Sequence, residues 1–305
     1  MLTAATRRQL QARQAEHAAV KDAFYLATQT RRSELFESLQ RARDGLCDQL
    51  FAGPEGPVEP AAVPAGVRSY AARADWSLLD MVALATRTTA GPAELAAAVA
   101  PRALAYQALR MLDDVLDDHV DYKGGKPTLL GEFRADPALA PLAAAANLLP
   151  VAMILAGTEL TAEDRALLQR TLRGMLLEYA PGPWTPELYQ RMAYAKMVSY
   201  GQFLYRPVTD LFPEPVRARL EPFLATSFYL AQLLNDLHDV ADDLRRGQPN
   251  YWTLPDSGPD RLGAFLAELE RLSDDCGTLD PMVQPYGHAR LADLLGYLFQ
   301  VDGSG

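Results

Sequence analysis

Two apolar, helix-patterned runs each end in a dense knot of acidic residues. The first reads Asp113-Asp114-Val115-Leu116-Asp117-Asp118-His119-Val120-Asp121, and the second, far downstream, reads Asn235-Asp236-Leu237-His238-Asp239-Val240-Ala241-Asp242-Asp243. On a helix, Asp113, Asp117 and Asp121 share one face at i, i+4 and i+8, and so do Asn235, Asp239 and Asp243. Like charges at that spacing repel by roughly a few tenths of a kcal/mol per pair, so a fold that keeps both stacks has a use for a cation between them. Two stacks facing each other would form an oxygen-lined cage for Mg2+, a hard cation that binds through a few carboxylates, waters and substrate phosphates. The pattern points to diphosphate chemistry on a helical scaffold.

The rest of the chain agrees with helices. Ala and Leu dominate, β-branched residues are sparse, and no strand-period segment or internal repeat competes. The expected fold is a mostly helical single domain. Residues 1–55 read as a partly peripheral N-terminal helical region, and residues 56–305 as the catalytic domain. The Gly- and Pro-rich stretch from Gly53 to Gly66 is a loop between them. Helical patterning resumes near Trp76, breaks at Gly91-Pro92, and runs on to the first acidic cluster, with Pro101 a possible interruption. Further helices are expected over 138–157, 161–180, 185–206 and 214–244, with one or two more over 258–299.

A formal charge of -10 without any basic stripe excludes a nucleic-acid partner, because such binding needs clustered Lys and Arg. Residues 139–157 reach membrane-span length but contain Pro141, Asn147 and Pro150, so a buried helix is the expectation and not a membrane span. Cys47 and Cys276 have neither metal nor redox spacing, and the expectation is free thiols in a cytoplasmic protein. His119 and His238 sit beside the acids, but Mg2+ prefers oxygen, so both are expected outside the ligand set.

An Asp-Asp-x-x-Asp cluster at a helix end with a Gly-Lys-Pro-Thr exit, followed later by Gln232-Leu233-Leu234-Asn235-Asp236-Leu237-His238-Asp239, resembles the trans-isoprenyl diphosphate synthase (polyprenyl synthetase) and class I terpene synthase superfamily. The resemblance spans roughly residues 66–254, and the chain looks like an atypical member. It implies an all-α single-domain bundle of long helices around a deep apolar pocket, three Mg2+ ions held by the aspartate-rich motifs, an allylic diphosphate substrate, and a homodimer. Asp113, Asp114 and Asp117 resemble the first-motif metal ligands, and Asn235, Asp236, Asp239 and Asp243 the second set. Lys196, in Tyr194-Ala195-Lys196-Met197, resembles the family lysine that contacts the allylic diphosphate. Gln232 resembles the glutamine before the second motif and by that resemblance is a candidate substrate contact, and Arg245 and Arg246 are further candidate cations at the substrate.

The matches are unevenly spread. Where the family carries Gly-Lys-x-x-Arg-Pro, this chain has Gly66-Val67-Arg68-Ser69-Tyr70-Ala71, which keeps Arg68 and lacks the lysine. Its Arg-Arg-Gly is represented by Tyr122-Lys123-Gly124, which keeps Lys123 alone. Those groups bind isopentenyl diphosphate in chain-elongating members, so a different acceptor is implied. Asn235, Asp239 and Asp243 match the spacing of the metal triad of class I terpene cyclases. Residues 199–204, Ser-Tyr-Gly-Gln-Phe-Leu, are similar to atypical prenyltransferases of the moenomycin-assembly type.

The reading that follows is a Mg2+-dependent prenyltransferase. Asp113, Asp117, Lys196 and Asp239 serve ionisation of an allylic diphosphate, and the carbocation passes to a second isoprenoid or other alkene. A class I cyclase acting on a C15 or longer diphosphate is the alternative, and a non-catalytic helical scaffold is a third. The metal would act as Lewis acid and template, with Lys196 and the arginines as preorganised positive charge. Ala108 and Leu109, one turn before Asp113, are expected on the pocket wall; in the resembling family bulky aromatics in that turn shorten the tail, so by that resemblance the small Ala108 implies a tail of about fifteen carbons or more.

Overall fold

The computed structural model describes residues 2–53, 56–57, 76–122, 126–135, 160–254 and 261–302. Arg68, Lys123 and the apolar stretch 139–157 lie outside the described residues. The fold is all-α. In chain order the helices are α1 (Ala4–Ala27), α2 (Gln29–Phe51), α3 (Trp76–Ala85), α4 (Pro92–Leu116), α5 (Leu129–Ala135), α6 (Ala162–Glu178) and α7 (Pro186–Ala193). A π-helical turn (Tyr194–Val198) leads into α8 (Ser199–Thr209), followed by α9 (Glu214–Arg246), a 3-10 turn (Tyr251–Thr253), α10 (Arg261–Thr278) and α11 (Gln284–Asp302). The only extended pairing among the described residues is two antiparallel pairs of two-residue strands, Ala52–Gly53 with Gly56–Pro57 and Asp121–Tyr122 with Lys126–Pro127. None of the described helices is long and apolar enough to cross a membrane.

Internal contacts group the chain into two units. The first unit comprises Met1–Thr30, Ala83–Thr88 and Ala162–Gly305. Its axis is α9, which buries Leu220, Phe223, Leu230, Leu233 and Leu234 and packs on α8, α10 and α11. Gly201 of α8 makes room for the Phe228 ring, which a Cβ at that position would meet at 2.4 Å. α1 lies on α11 through Leu10, His17 and Phe24, spaced seven apart on one helical stripe. His17 and His288 meet there, Nδ1 to Nδ1 at 2.7 Å, and Lys21 pairs with Asp293. α9 stops because Gly247 adopts the left-handed conformation (φ 69°), and the Gln248 N–H returns to the Asp243 carbonyl at 2.9 Å.

The second unit comprises Arg31–Val82 and Thr89–Thr161. Its long helix, α4, begins with Pro92 after the N-cap Gly91, the Glu94 carboxylate accepting from the Gly91 N–H. Pro101 does not interrupt it; the helix continues unbroken to Leu116. Its apolar face includes Val99, Leu104, Ala105, Ala108 and Leu109, all buried, and the Tyr106 hydroxyl donates to Ser77 Oγ at 2.7 Å.

Candidate functional site

The first acidic cluster is where α4 ends. The Asp117 N–H still reaches the Asp113 carbonyl at 2.9 Å, but Asp118 turns left-handed (φ 53°) and takes the chain off the helix axis. Asp is among the few residues that tolerate this conformation. The departing strand is then gripped from below. Buried Thr128 donates its hydroxyl to the His119 carbonyl at 2.6 Å and its N–H to the Val120 carbonyl at 2.9 Å. Thr128 Oγ1 also accepts from the Gly131 N–H at 3.0 Å, which caps α5. A Cβ on Gly131 would stand 1.9 Å from the Val120 oxygen, so only glycine permits this return.

This geometry corrects one expectation. Asp121 lies in the strand pair beyond the helix, so the first stack holds Asp113 and Asp117 and not a third carboxylate. The reason is physical: stacked carboxylates in the last turn oppose the helix dipole, and the left-handed exit relieves them. Asp113 is largely buried with Arg110 Nη1 at 3.7 Å, and Asp117 largely buried with His119 Nδ1 at 3.9 Å. Asp114 is buried, and Asp118 is exposed and paired with Arg134 at 2.6 Å. Ala108 and Leu109 lie on the buried face of α4 one turn earlier.

The second cluster stays helical throughout, and Asn235, Asp239 and Asp243 share one face of α9. Each has a local partner. Tyr297 donates its hydroxyl to Asn235 Oδ1 at 3.1 Å, His238 Nδ1 lies 2.8 Å from Asp239 Oδ1, and Asn250 Nδ2 donates to Asp243 Oδ2 at 2.7 Å. Arg245 pairs with Asp242 on the surface, and Arg246 is exposed.

Asp236, expected among the metal ligands, instead faces the core. Its Oδ1 accepts from Gln232 Nε2 at 2.7 Å, and its Oδ2 accepts from the Tyr189 hydroxyl at 2.6 Å and the Tyr251 N–H at 2.8 Å. Gln232 is likewise committed to Asp236 and buried, away from the substrate contact that the resemblance implied. Burial pushes the Asp236 carboxyl up to about 6, against the pull of its three donors, and burial beside Asp236 holds the Tyr189 hydroxyl far above the usual phenol range. The pair of residues thus fixes the exit loop rather than presenting oxygen to a ligand.

Asn250 closes that loop. Its side-chain amide donates to the Asp236 carbonyl and to Asp243, both at 2.7 Å, and its oxygen accepts from the Trp252 N–H at 3.0 Å. Trp252 Nε1 in turn donates to the Leu233 carbonyl at 2.7 Å. Lys196 lies in the π turn, its ammonium 2.6 Å from Glu178 at the end of α6. Tyr189 and Glu178 were not singled out for the site by sequence reasoning, whereas Thr128 ends the Gly-Lys-Pro-Thr exit and Asn250 follows the second cluster. Only Asn250 and Thr128 carry a local signal, as capping residues directly after a helix exit.

A separate cleft of about 510 Å³ runs along the first half of α9, lined by Glu163, Arg170, Arg206, Asp210, Arg217 and Phe228 among others. It is polar and internally ion-paired, with Arg206 bound to Glu163 and Asp210 and Arg217 bound to Asp210 and Glu221. Cys276 is a free, buried thiol whose burial pushes it up to about 12. Among the described residues no three His, Cys, Asp or Glu side chains converge closely enough to hold a metal by themselves.

No family model matches the chain. No curated protein matches it either. Solved structures do. A polyprenyl synthase from Caulobacter crescentus CB15, determined with calcium and isoprenyl diphosphate, superposes with a TM-score of 0.58 at 14% identity, over 90% of this chain and 97% of that one. The chain has the isoprenoid synthase fold. A geranyltransferase from Helicobacter pylori 26695 gives a TM-score of 0.52 at 16% identity, and a heptaprenyl diphosphate synthase from Staphylococcus aureus gives 0.52 at 12%. Each of these two covers 88% of this chain and 98% of its own. At such identities the likeness is one of fold, and the chemistry has to be argued from the residues.

Proposed function

We propose that the protein is a Mg2+-dependent prenyltransferase that ionises an allylic prenyl diphosphate and passes the carbocation to an alkene acceptor. The observation that carries the reading is the row Asn235, Asp239 and Asp243 along α9, with Asp243 tied to Asn250 beyond the helix stop. An amide oxygen and two carboxylates suit Mg2+, which takes one or two carboxylates and fills its remaining positions with water and phosphate oxygens. A set without three converging acids is therefore compatible with this ion. Asp113 and Asp117, at the end of α4, are oxygen donors of the same kind. When bound, the metal would neutralise charge on the leaving diphosphate.

The chain's own residues have distinct parts in this reading. Asn235, Asp239 and Asp243 would hold metal at the end of α9, and Asp113 and Asp117 would do so at the end of α4. Lys196 contacts the diphosphate and stabilises it as charge develops on leaving. Asp236, Gln232, Tyr189 and Asn250 keep the α9 exit rigid, so that the ligand oxygens are set before substrate arrives. Ala108 and Leu109 border the tail, Arg245 and Arg246 lie at the rim, and Arg68 and Lys123 complete the cation set. A homodimer in the cytoplasm belongs to the same reading.

A class I cyclase is the second reading, favoured by the same Asn235, Asp239 and Asp243 spacing. Purified protein with Mg2+ is incubated with geranyl, farnesyl or geranylgeranyl diphosphate, with and without isopentenyl diphosphate, and both phases are analysed. A longer diphosphate formed only with isopentenyl diphosphate supports an elongating transferase. Hydrocarbon or terpene alcohol from the allylic substrate alone supports the cyclase. Turnover unchanged by Asp239→Ala would overturn the metal assignment under either reading.

A further inference from the structure

Lys196 is held at both ends by one face of α6. Gly174 and Glu178 stand one turn apart on that helix. At Gly174 the backbone of the π turn comes so close that an added Cβ would lie 2.4 Å from the Lys196 nitrogen and 2.8 Å from its Cα. One turn on, Glu178 Oε2 receives the ammonium of the same residue at 2.6 Å, and each side chain is only 12% exposed. The lysine enters from a π-helical turn, a local widening frequent at functional sites. It is flanked by Tyr194, whose ring lies 5.1 Å from that of Tyr229.

A desolvated ammonium is stable only beside an anion, and removing one partner of such a pair leaves the other uncompensated. In the absence of substrate, Glu178 is that anion. An incoming diphosphate offers the same chemistry with more charge and more oxygens. We propose that Glu178 is a positioning residue that holds the Lys196 ammonium in the empty site and cedes it to the diphosphate, so that affinity is set by exchange of one anion for another. The inference rests on the reading of Lys196 as a diphosphate contact. Glu178 keeps the cation aimed before substrate arrives, and by competing for the same ammonium it then favours release of the diphosphate product. No bond is made or broken at Glu178, which acts through Lys196 alone.

The test uses the full chain as wild type, Glu178→Gln, Lys196→Ala and the double variant, each checked for helical content. Binding of inorganic pyrophosphate in Mg2+ is measured by calorimetry, alongside steady-state kinetics on an allylic diphosphate. Glu178→Gln is expected to bind pyrophosphate on the order of tenfold more tightly, with KM and kcat both lowered as product leaves more slowly. The gain is expected to vanish in the Lys196→Ala background. A gain that persists there reflects plain charge repulsion and overturns the proposal. If Lys196→Ala weakens binding while Glu178→Gln leaves it unchanged or weaker, the Lys196 role stands and the Glu178 proposal falls. If Lys196→Ala has no effect, the reading of Lys196 fails and takes the proposal with it. Glu178→Asp keeps the charge and shortens the reach, and it serves if Glu178→Gln does not fold. A several-fold gain in that variant supports the exchange, and wild-type affinity overturns it.

Discussion

Replacing Gly174 with Ala sets two effects of opposite sign against each other. In an unobstructed helix interior the change stabilises by about 0.5–1 kcal/mol, since glycine loses more backbone freedom on folding. Here the new methyl would lie 2.4 Å from the Lys196 nitrogen and 2.8 Å from two backbone carbons of the π turn. Carbon contacts are comfortable at about 3.5–4.0 Å, so α6 and the π turn would have to separate by about an ångström. The obstacle is backbone, which has no alternative rotamer, and overpacking of this kind costs about 1–3 kcal/mol. The net expectation is a loss of about 1–2 kcal/mol, measured as a lower urea midpoint at unchanged slope. Gly45→Ala is the control, because nothing lies within 4 Å of its added Cβ and the helix term should act alone. Turnover in Gly174→Ala should fall by roughly a hundredfold, as a shift of about an ångström displaces Lys196. A Gly174→Ala protein stabilised as much as Gly45→Ala would refute the close approach and the Lys196 geometry built on it.

Asp113→Ala combined with Asp117→Ala should abolish turnover while circular dichroism stays that of the wild type; wild-type turnover in the double variant would sink the metal role of the first cluster. Asn250→Ala should destabilise by about 3 kcal/mol, since it removes three hydrogen bonds that tie the exit loop to α9, and denaturant titration measures this. Ala108→Phe should shorten the longest tail accepted, and unchanged selectivity across prenyl diphosphates would place this face of α4 away from the substrate. The His17 and His288 pair gives a pH signature. Burial lowers both imidazoles below 6.5, for His17 with help from His288 and Arg13 against Glu16. The unfolded chain therefore takes up protons first, and stability that is complete above pH 6.5 is lost as pH falls toward the lowered values. Melting temperatures between pH 7.5 and 5 should fall more steeply for wild type than for a His17→Asn, His288→Asn variant, and parallel curves would contradict it.

The α9 helix and its row of oxygens were legible because 3.6-residue periodicity, acids four apart and the Gly247 stop all coincide in one stretch of sequence. The inward turn of Asp236 was legible too. Tyr229, Gln232, Leu233 and Asp236 fall at i, i+3, i+4 and i+7, a buried stripe in which one member happens to be acidic. What hid it was the weight given to charge over periodicity. The early end of α4 had no such signal, because the left-handed Asp118 is sustained by Thr128 and Gly131, which act on the His119 and Val120 carbonyls from the next helix. The grip of α6 on Lys196 was equally invisible, since nothing local to either segment announces that Glu178 and Lys196 meet.

The pairing of α1 with α11 has a consequence for how the chain is made. Lys21 and Asp293 are 272 residues apart in sequence, so α1 waits for the much later synthesis of α11. At about 5–20 residues per second, that delay is on the order of tens of seconds. Throughout it Leu10 and Phe24 lack their cover from α11, and the nascent chain is open to premature association with other chains. Long sequence separation also slows the final docking, because the loop must close before the contact rewards it. Expression at lower temperature, or with a chaperone that shields apolar helices, should therefore raise the yield of folded protein more than any substitution in the acidic clusters.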